Sequence, residues 1–352
     1  MSAHYAHHAL TKGALRLLTE QIAYGLRTHY GIGAQGPYKD VVTIMSSGQP
    51  LVPAVFYGII AAGGVVSTAS HSFTPQELAR QIEQGGSSVM VCSVDLKNVA
   101  VEAAKICGMS PDRVVVMDSY APWILLSSEG STMLRSEHRL TWTKVTDRGE
   151  LERSLIVLLY SSGTTGTPKG VMLSDLNLVA EIFIPMMQTR EWAETNVPEG
   201  TPPTEMRTLA HLPIAHIAGV IGYLTVPVLM GATVYWMRKF EWKSFLEYSK
   251  KYRVTTMYTV PSIYLRIAKS PEVTDQFQTV EAASTGAALM DEDLQKAANA
   301  KLGNGTVFIG QTWGLSETTG AVTAMPKGQT DDTGSISPVL PNIQLRSVPL
   351  PY

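Results

Sequence analysis

The chain has 352 residues, of which 45% are hydrophobic and 16% charged, which is enough for two core-forming units. Its formal net charge of -2 excludes a general basic field for nucleic acid, and no apolar run reaches the roughly 18 residues that a membrane span requires. The two cysteines, Cys92 and Cys107, form neither a disulfide framework nor a CxxC metal pair, so we expect both to be packing residues.

Short β-branched segments alternate with helical patterns along most of the chain, which predicts the α/β class with mainly parallel sheets. The helix that follows Thr74 has the clearest start, because Thr74 is a good cap, Pro75 suits the first helical position and Glu77 completes a capping box. A further helix is predicted for residues 242–252. The predicted strands are residues 40–45, 65–68, 88–92, 114–117, 154–160, 208–212, 232–236, 255–259, 280–284 and 306–309.

Two series of strands predict two stacked α/β subdomains, residues 1–150 and residues 151–327. The polar stretch 127–150 is expected to connect them. From residue 328 the chain turns polar and then proline-rich, and we interpret residues 328–352 as the start of a small β subdomain.

Residues 160–170, YSSGTTGTPKG, directly follow a predicted strand. The glycines allow backbone N–H groups to turn toward an anion, the hydroxyls add donors, and Lys169 adds a positive charge, which together suit a triphosphate. A Walker A loop is disfavoured, because Pro168 and Gly170 flank the lysine where that motif requires a glycine and a hydroxyl. A flexible linker is the ordinary alternative for such a composition taken alone.

This string resembles the signature of the adenylate-forming superfamily, which includes acyl-CoA synthetases, 4-coumarate-type ligases, luciferases and amino-acid adenylation domains. Three further segments resemble motifs of that family in the family's order: residues 212–219 (LPIAHIAG), 284–288 (STGAA) and 311–317 (QTWGLSE). Leu289 stands where a proline is usual. The resemblance implies the αβαβα-type N-terminal domain of an acyl-CoA synthetase.

The resemblance also implies site residues by their match to these motifs. Catalytic roles are implied for His216, Ser316 and Glu317, with Glu317 as the Mg²⁺ ligand. ATP binding is implied for Ser161, Ser162, Gly163, Thr164, Thr165, Gly166, Lys169, Gly286, Ala287, Ala288, Gln311, Thr312 and Trp313. The candidate acid-binding residues are His216, Ala218, Gly219, Gly222, Gly310, Gly320 and Ala321. Since most of these are small, we expect a bulky aryl or a medium-to-long acyl acid.

The implied activity is that of an acid–thiol ligase, which uses ATP, Mg²⁺ and CoA to convert a small carboxylic acid to acyl-AMP and then to an acyl-CoA thioester. The family's C-terminal lysine domain has no counterpart in this sequence, so we expect the chain alone to be impaired. Three alternatives stay open: a non-catalytic nucleotide- or acyl-binding fragment, a luciferase-like oxygenase and an amino-acid-adenylating relative. Without a recognisable targeting signal, a cytoplasmic location is expected, with a peroxisomal one possible for a full-length relative.

Overall fold

The computed structural model describes residues 9–119, 123–135, 137–142, 144–161, 166, 168–202, 204–331 and 333–346. The chain divides into two compact units. The first unit comprises Met1–Leu178, Ala210–Gly231 and Trp236–Phe240, and the second comprises Val179–Leu209, Ala232–Tyr235 and Glu241–Tyr352.

Strands and short helices alternate as the sequence predicts. The strands are β1 (Val41–Met45), β2 (Val65–Ala69), β3 (Ser87–Ser93), β4 (Val114–Asp118), β5 (Ile124–Ser127), β6 (Leu155–Ser161), β7 (Lys169–Ser174), β8 (Arg207–Ala210), β9 (Thr233–Trp236), β10 (Thr256–Thr259), β11 (Ala282–Thr285), β12 (Ile309–Gln311), β13 (Gly314–Leu315) and β14 (Gly320–Ala321). The helices are α1 (Lys12–Tyr30), α2 (Val52–Ala61), α3 (Pro75–Gly85), α4 (Lys97–Ile106), α5 (Arg148–Arg153), α6 (Asp175–Asn196), α7 (Ile217–Gly219), α8 (Val226–Met230), α9 (Trp242–Lys251), α10 (Pro261–Lys269) and α11 (Glu292–Asn299).

A seven-stranded sheet in the order β5-β4-β3-β1-β2-β6-β7 forms the centre of the first unit. The inner strands are parallel, and the edge strands β5 and β7 are antiparallel to their neighbours. Every residue of β1 and β2 is buried, as expected for strands covered on both faces. The predicted α/β class with a mainly parallel sheet is therefore confirmed.

The start of α3 agrees with its sequence signal. The backbone N–H of Thr74 donates to the Glu77 carboxylate at 2.8 Å, and the N–H of Glu77 donates to the Thr74 hydroxyl at 3.3 Å. This reciprocal pair satisfies two N–H groups that the helix itself leaves without partners. The capping box is thus confirmed in its predicted place.

The second unit is built on a parallel sheet in the order β10-β11-β12, with α10 and α11 packed beside it. Its buried core includes Tyr264, Phe277 and Leu302. The short strands β13 and β14 pair as an antiparallel hairpin after β12. A two-stranded sheet of β8 and β9 adds to this unit, except that Ala210 and Trp236 at the strand ends belong to the first.

The observed units differ from the predicted boundary at residue 151. Strand β6 pairs with β2 and β7, so the chain up to Leu178 belongs to the first sheet rather than to the second series of strands. The partners of a strand are not encoded in its own sequence, which explains the difference. The small β subdomain from residue 328 stays a prediction. Among the described residues, none of the helices has the length and hydrophobicity needed to span a bilayer.

Candidate functional site

Two of the sequence motifs meet at one edge of the second unit's sheet. Strand β11 ends at Thr285 and β12 ends at Gln311, and since the strands are parallel neighbours their carboxyl ends lie side by side. The N–H of Thr312 donates to the Thr285 carbonyl at 2.8 Å, so the segments that leave the two strands stay adjacent. This strand edge is where open α/β sheets bind ligands.

Small residues form the β11 side of this edge. A Cβ placed on Gly286 would lie 3.0 Å from the Thr312 carbonyl oxygen, so the backbones approach closely there. Ala287 has a φ of 70°, in the left-handed region, and its side chain is exposed. The Thr285 hydroxyl is buried and has no hydrogen-bond partner among the described residues. Trp313, two positions after the end of β12, is 40% exposed, so part of its indole is accessible to a ligand.

Gln311 and Thr312 hold neighbouring segments in place. The buried Gln311 amide donates to the carbonyl oxygens of Met290 at 3.0 Å and Gly334 at 3.2 Å. The Thr312 hydroxyl donates to the Thr323 carbonyl at 2.6 Å. Both side chains therefore orient the strand edge, and their predicted contacts with a nucleotide stay predictions.

The hairpin of β13 and β14 carries Ser316 and Glu317 on a single 3₁₀ turn, residues Ser316–Thr318. The Glu317 side chain is exposed. No group of three or more His, Cys, Asp or Glu side chains suitable for a metal occurs among the described residues. One exposed carboxylate nevertheless suits Mg²⁺, because proteins often hold this ion by one or two carboxylates together with substrate phosphates and water.

In the first unit the YSSGTTGTPKG segment connects two antiparallel strands. Ser161 at the end of β6 pairs with Lys169 at the start of β7, and the Lys169 side chain is exposed. The Gln84 side chain donates to the Pro168 carbonyl at 2.9 Å, and Gly166 has a φ of 84°. The loop therefore follows a strand, as predicted. The predicted residues Ser162, Gly163, Thr164 and Thr165 lie outside the described residues.

The model of the family described as "AMP-binding enzyme" matches residues 2–348 of the chain. The chain belongs to the AMP-binding enzyme family. The family resemblance inferred from the sequence motifs is thereby confirmed.

Curated relatives match most of the chain. A protein from Emericella nidulans named "Putative acyl-coenzyme A synthetase" is 45% identical over 341 residues, which cover 96% of this chain and 60% of the relative. The 4-coumarate–CoA ligase 2 of Nicotiana tabacum is 31% identical over 292 residues, which cover 82% of this chain and 49% of the relative. The chain thus spans about half to three-fifths of the length of these relatives.

Solved structures show the same fold. The ATP-bound MatB from Rhodopseudomonas palustris matches with a TM-score of 0.71 and 23% identity over 94% of this chain and 59% of that protein. The anthranilate CoA ligase AuaEII in complex with anthranoyl-AMP matches with a TM-score of 0.72 and 17% identity over 94% of this chain and 58% of that protein. At these identities the likeness establishes the fold alone.

The predicted acid-binding residues fall in both units. His216, Ala218, Gly219 and Gly222 lie in the first unit, in the segment that runs through α7 into the π-helical turn Val220–Thr225. The His216 side chain is exposed, and its carbonyl accepts from the Gly219 N–H at 2.9 Å. A Cβ on Gly219 would lie 2.2 Å from the Pro213 carbonyl oxygen, so only glycine fits there. Gly310, Gly320 and Ala321 lie in the second unit, in β12 and β14.

A small pocket in the first unit is lined in part by residues 210–214, which precede His216, and sequence reading missed it. His71, His211 and Lys239 are among its lining residues. Burial lowers the pKa of His71, Lys239 lowers it further, and Asp95 opposes both effects. Neither His71 nor His211 belongs to one of the sequence motifs.

Sequence reading also missed Glu181, which lies on α6 within the second unit. Its Oε1 accepts a hydrogen bond from the Ala321 N–H at 2.7 Å. Burial raises the pKa of Glu181 to about 7, against the lowering effect of that hydrogen bond. A signal was available, since this carboxylate interrupts the otherwise apolar run of residues 178–185.

Proposed function

We propose that this chain takes part in the ATP-dependent activation of a carboxylic acid to acyl-AMP, followed by transfer of the acyl group to CoA. The geometry that supports the proposal best is the edge of β11 and β12, where Gly286, Ala287 and Trp313 lie on adjacent segments. A close-packed backbone beside an exposed indole suits a planar base such as adenine. Membership of the AMP-binding family supports the same ligand.

In the proposed first step a carboxylate oxygen attacks the α-phosphorus of ATP. A new O–P bond forms, the bond between the α-phosphorus and the bridging oxygen breaks, and pyrophosphate leaves with the electron pair. In the second step the CoA sulfur attacks the acyl carbonyl carbon, the thiol proton is lost to solvent, and AMP leaves. Positioning and charge neutralisation supply most of the catalysis of such transfers.

The proposed phosphate-binding group of the first unit is the loop after β6, with Ser161, Thr164, Thr165 and Lys169. The exposed position of Lys169 supports this role, because an ammonium group that is free of packing can reach a phosphate.

In the second unit, Ser316 is proposed to donate to the α-phosphate. Glu317 would hold Mg²⁺, which when bound would neutralise charge on the phosphates. His216, in the first unit, is proposed to border the acid.

The proposed acid is a bulky aryl or a medium-to-long acyl acid. The small residues of the predicted lining support a roomy site. The 4-coumarate–CoA ligase named among the relatives also agrees with an aryl acid. CoA as the acyl acceptor, and a cytoplasmic location, belong to the same proposal.

Pyrophosphate exchange into ATP tests this function directly. The chain is incubated with ATP, Mg²⁺, labelled pyrophosphate and a panel of acids from acetate to cinnamates and long-chain fatty acids. Since the chain alone is expected to be impaired, we expect slow exchange that depends on a bulky acid and falls roughly 10- to 100-fold in Lys169→Met, as the loss of a hydrogen bond to a charged group implies. Lys12→Met, at an exposed position at the start of α1, is the matched control.

Two results would count against the proposal. Exchange that is fastest with acetate would remove the bulky-acid assignment. Binding of ATP without exchange for any acid would favour the non-catalytic nucleotide-binding alternative.

A further inference from the structure

Glu181 is a carboxylate that the second unit partly withdraws from solvent without giving it a positive partner. Its Oε1 receives the Ala321 N–H, and a Cβ on Gly320 would lie 2.5 Å from the same oxygen. None of the ion pairs among the described residues includes Glu181. Burial raises its pKa, and no cation offsets the effect. Burying an unpaired carboxylate is costly, so a purely structural acceptor would not require one.

Two further polar side chains share a row of the second unit's sheet, and one of them, Tyr258, interacts electrostatically with this carboxylate. Tyr258 of β10 is in register with Ser284 of β11, and Ser284 with Gly310 of β12, so all three positions belong to one face of the sheet. Glu181 raises the pKa of Tyr258, in addition to the larger effect of burial, which places the two groups within electrostatic reach. No hydrogen bond involves the Tyr258 or Ser284 hydroxyl within the described part of the chain.

The second carboxylate oxygen of Glu181, Oε2, also receives no hydrogen bond from a described residue. Only the Ala321 N–H donates to this carboxylate within the described residues, so Oε2 retains its capacity to accept. The backbone beside it is unusual as well, because Gly320 has a φ of 138°, which few other residues adopt. A free acceptor oxygen beside a backbone position that suits glycine leaves room for a donor group of a ligand at this place.

We propose that Glu181 is a specificity residue of the acid site, and that its carboxylate, with the hydroxyls of Tyr258 and Ser284, receives a hydrogen-bond-donating group on the body of the acid. The inference rests on the proposed function, in which Gly310, Gly320 and Ala321 line that site. The acid then carries a hydroxyl or an amine in addition to the carboxylate that reacts. An ammonium group would gain more than a hydroxyl, because it also supplies the missing positive charge.

The alternative is that Glu181 serves only to accept the Ala321 N–H. Glu181→Gln separates the two roles, since the amide oxygen can still accept that hydrogen bond while the charge is lost. Tyr258→Phe is a second variant that leaves the bond to Ala321 untouched. Glu191→Gln is the matched control, because Glu191 lies on the same helix and is exposed.

The test measures binding of non-hydrolysable acyl-adenylate mimics to the full chain by isothermal titration calorimetry. Three classes of phenylacetyl sulfamoyl-adenosine are compared: unsubstituted, hydroxyl-substituted, and aminomethyl-substituted, with the donor at each ring position in turn. We expect the best donor-bearing mimic to bind roughly 10- to 100-fold more tightly than the unsubstituted one. Glu181→Gln should reduce that affinity ratio to about threefold or less, with the larger loss for the aminomethyl mimic. Tyr258→Phe should reduce the affinity of the hydroxyl-substituted mimic relative to the unsubstituted one.

The ratio for the aminomethyl mimic should also rise from pH 6 to pH 8 in the wild type, as Glu181 becomes ionised. Among the described residues, the titratable side chain that interacts with Glu181 is Tyr258 on β10, which stays protonated over this range because its pKa is raised above 10.0.

The possible failures are distinct. If no mimic binds, the proposed function itself fails. If mimics bind but all classes bind equally, or Glu181→Gln leaves the ratio unchanged, Glu181 is only an acceptor for Ala321 and the inference is overturned. A ratio lost equally in Glu191→Gln would show a general charge effect and overturn it as well.

Discussion

The free energy of unfolding of Glu181→Gln, minus that of the wild type, should be larger at neutral pH than at acid pH. Burial raises the pKa of Glu181 from an ordinary value of 4.5 to about 7 in the folded chain. The native state therefore binds more protons than the unfolded state between these two values. Accordingly, the stability of the wild type falls as pH rises through this window, because ionisation of the carboxyl favours the unfolded state while the native carboxyl stays largely protonated.

The magnitude follows from the two pKa values. Each pH unit in the window is worth about 1.36 kcal/mol, so the carboxyl should cost the wild type up to about 3 kcal/mol by pH 7. Glutamine does not titrate and can keep the hydrogen bond from the Ala321 N–H. We therefore expect the free energy of unfolding of Glu181→Gln, minus that of the wild type, to rise by about 3 kcal/mol from pH 4.5 to pH 7 and then to level off.

Urea denaturation of both proteins at half-unit steps from pH 4.5 to pH 8 measures this difference. Amide hydrogen exchange at Ala321 adds a local probe, which matters because two units need not unfold as one. Glu191→Gln should show a difference that hardly depends on pH. A difference for Glu181→Gln that is equally flat would refute the reasoning, because the carboxyl would then titrate alike in both states.

Three further predictions concern stability. Thr74→Ala removes the capping box of α3 and should cost about 1 kcal/mol in urea denaturation, whereas an unchanged midpoint would mean that the cap contributes nothing. Gly219→Ala places a Cβ 2.2 Å from the Pro213 carbonyl oxygen and should lower the free energy of unfolding by about 2 kcal/mol or more, measured by thermal unfolding. Gly13→Ala is the control, because a Cβ there meets no atom within 4 Å and should be neutral or slightly stabilising. Similar effects at both sites would contradict this reasoning. Gln311→Leu removes the donor from the buried Met290 carbonyl and the partly buried Gly334 carbonyl, and should cost about 2 kcal/mol even without a nucleotide. Full stability in the apo chain would assign that side chain to the ligand instead.

The family and the class of fold were predictable from the sequence because both are indicated by patterns within short segments of the chain. A string such as YSSGTTGTPKG needs a fixed set of small and hydroxylated residues at one place in the chain, and the order of the later motifs adds independent agreement. The same holds for α3, whose cap, first residue and closing carboxylate all lie within four positions. Strand β1, fully buried, likewise reads directly from its run of apolar residues.

Tertiary structure decided the rest, because it depends on which distant residues meet. Strand β6 joins the first sheet by pairing with β2, about ninety positions earlier, and no local sequence pattern predicts this pairing. The sequence shows that residue 181 is a glutamate. Its raised pKa and its hydrogen bond from Ala321, 140 residues away, depend on the fold, which buries the carboxyl. The sequence alone determined the family and the motifs, whereas only folding determined which polar groups lack a partner, since partners are set by contacts in space.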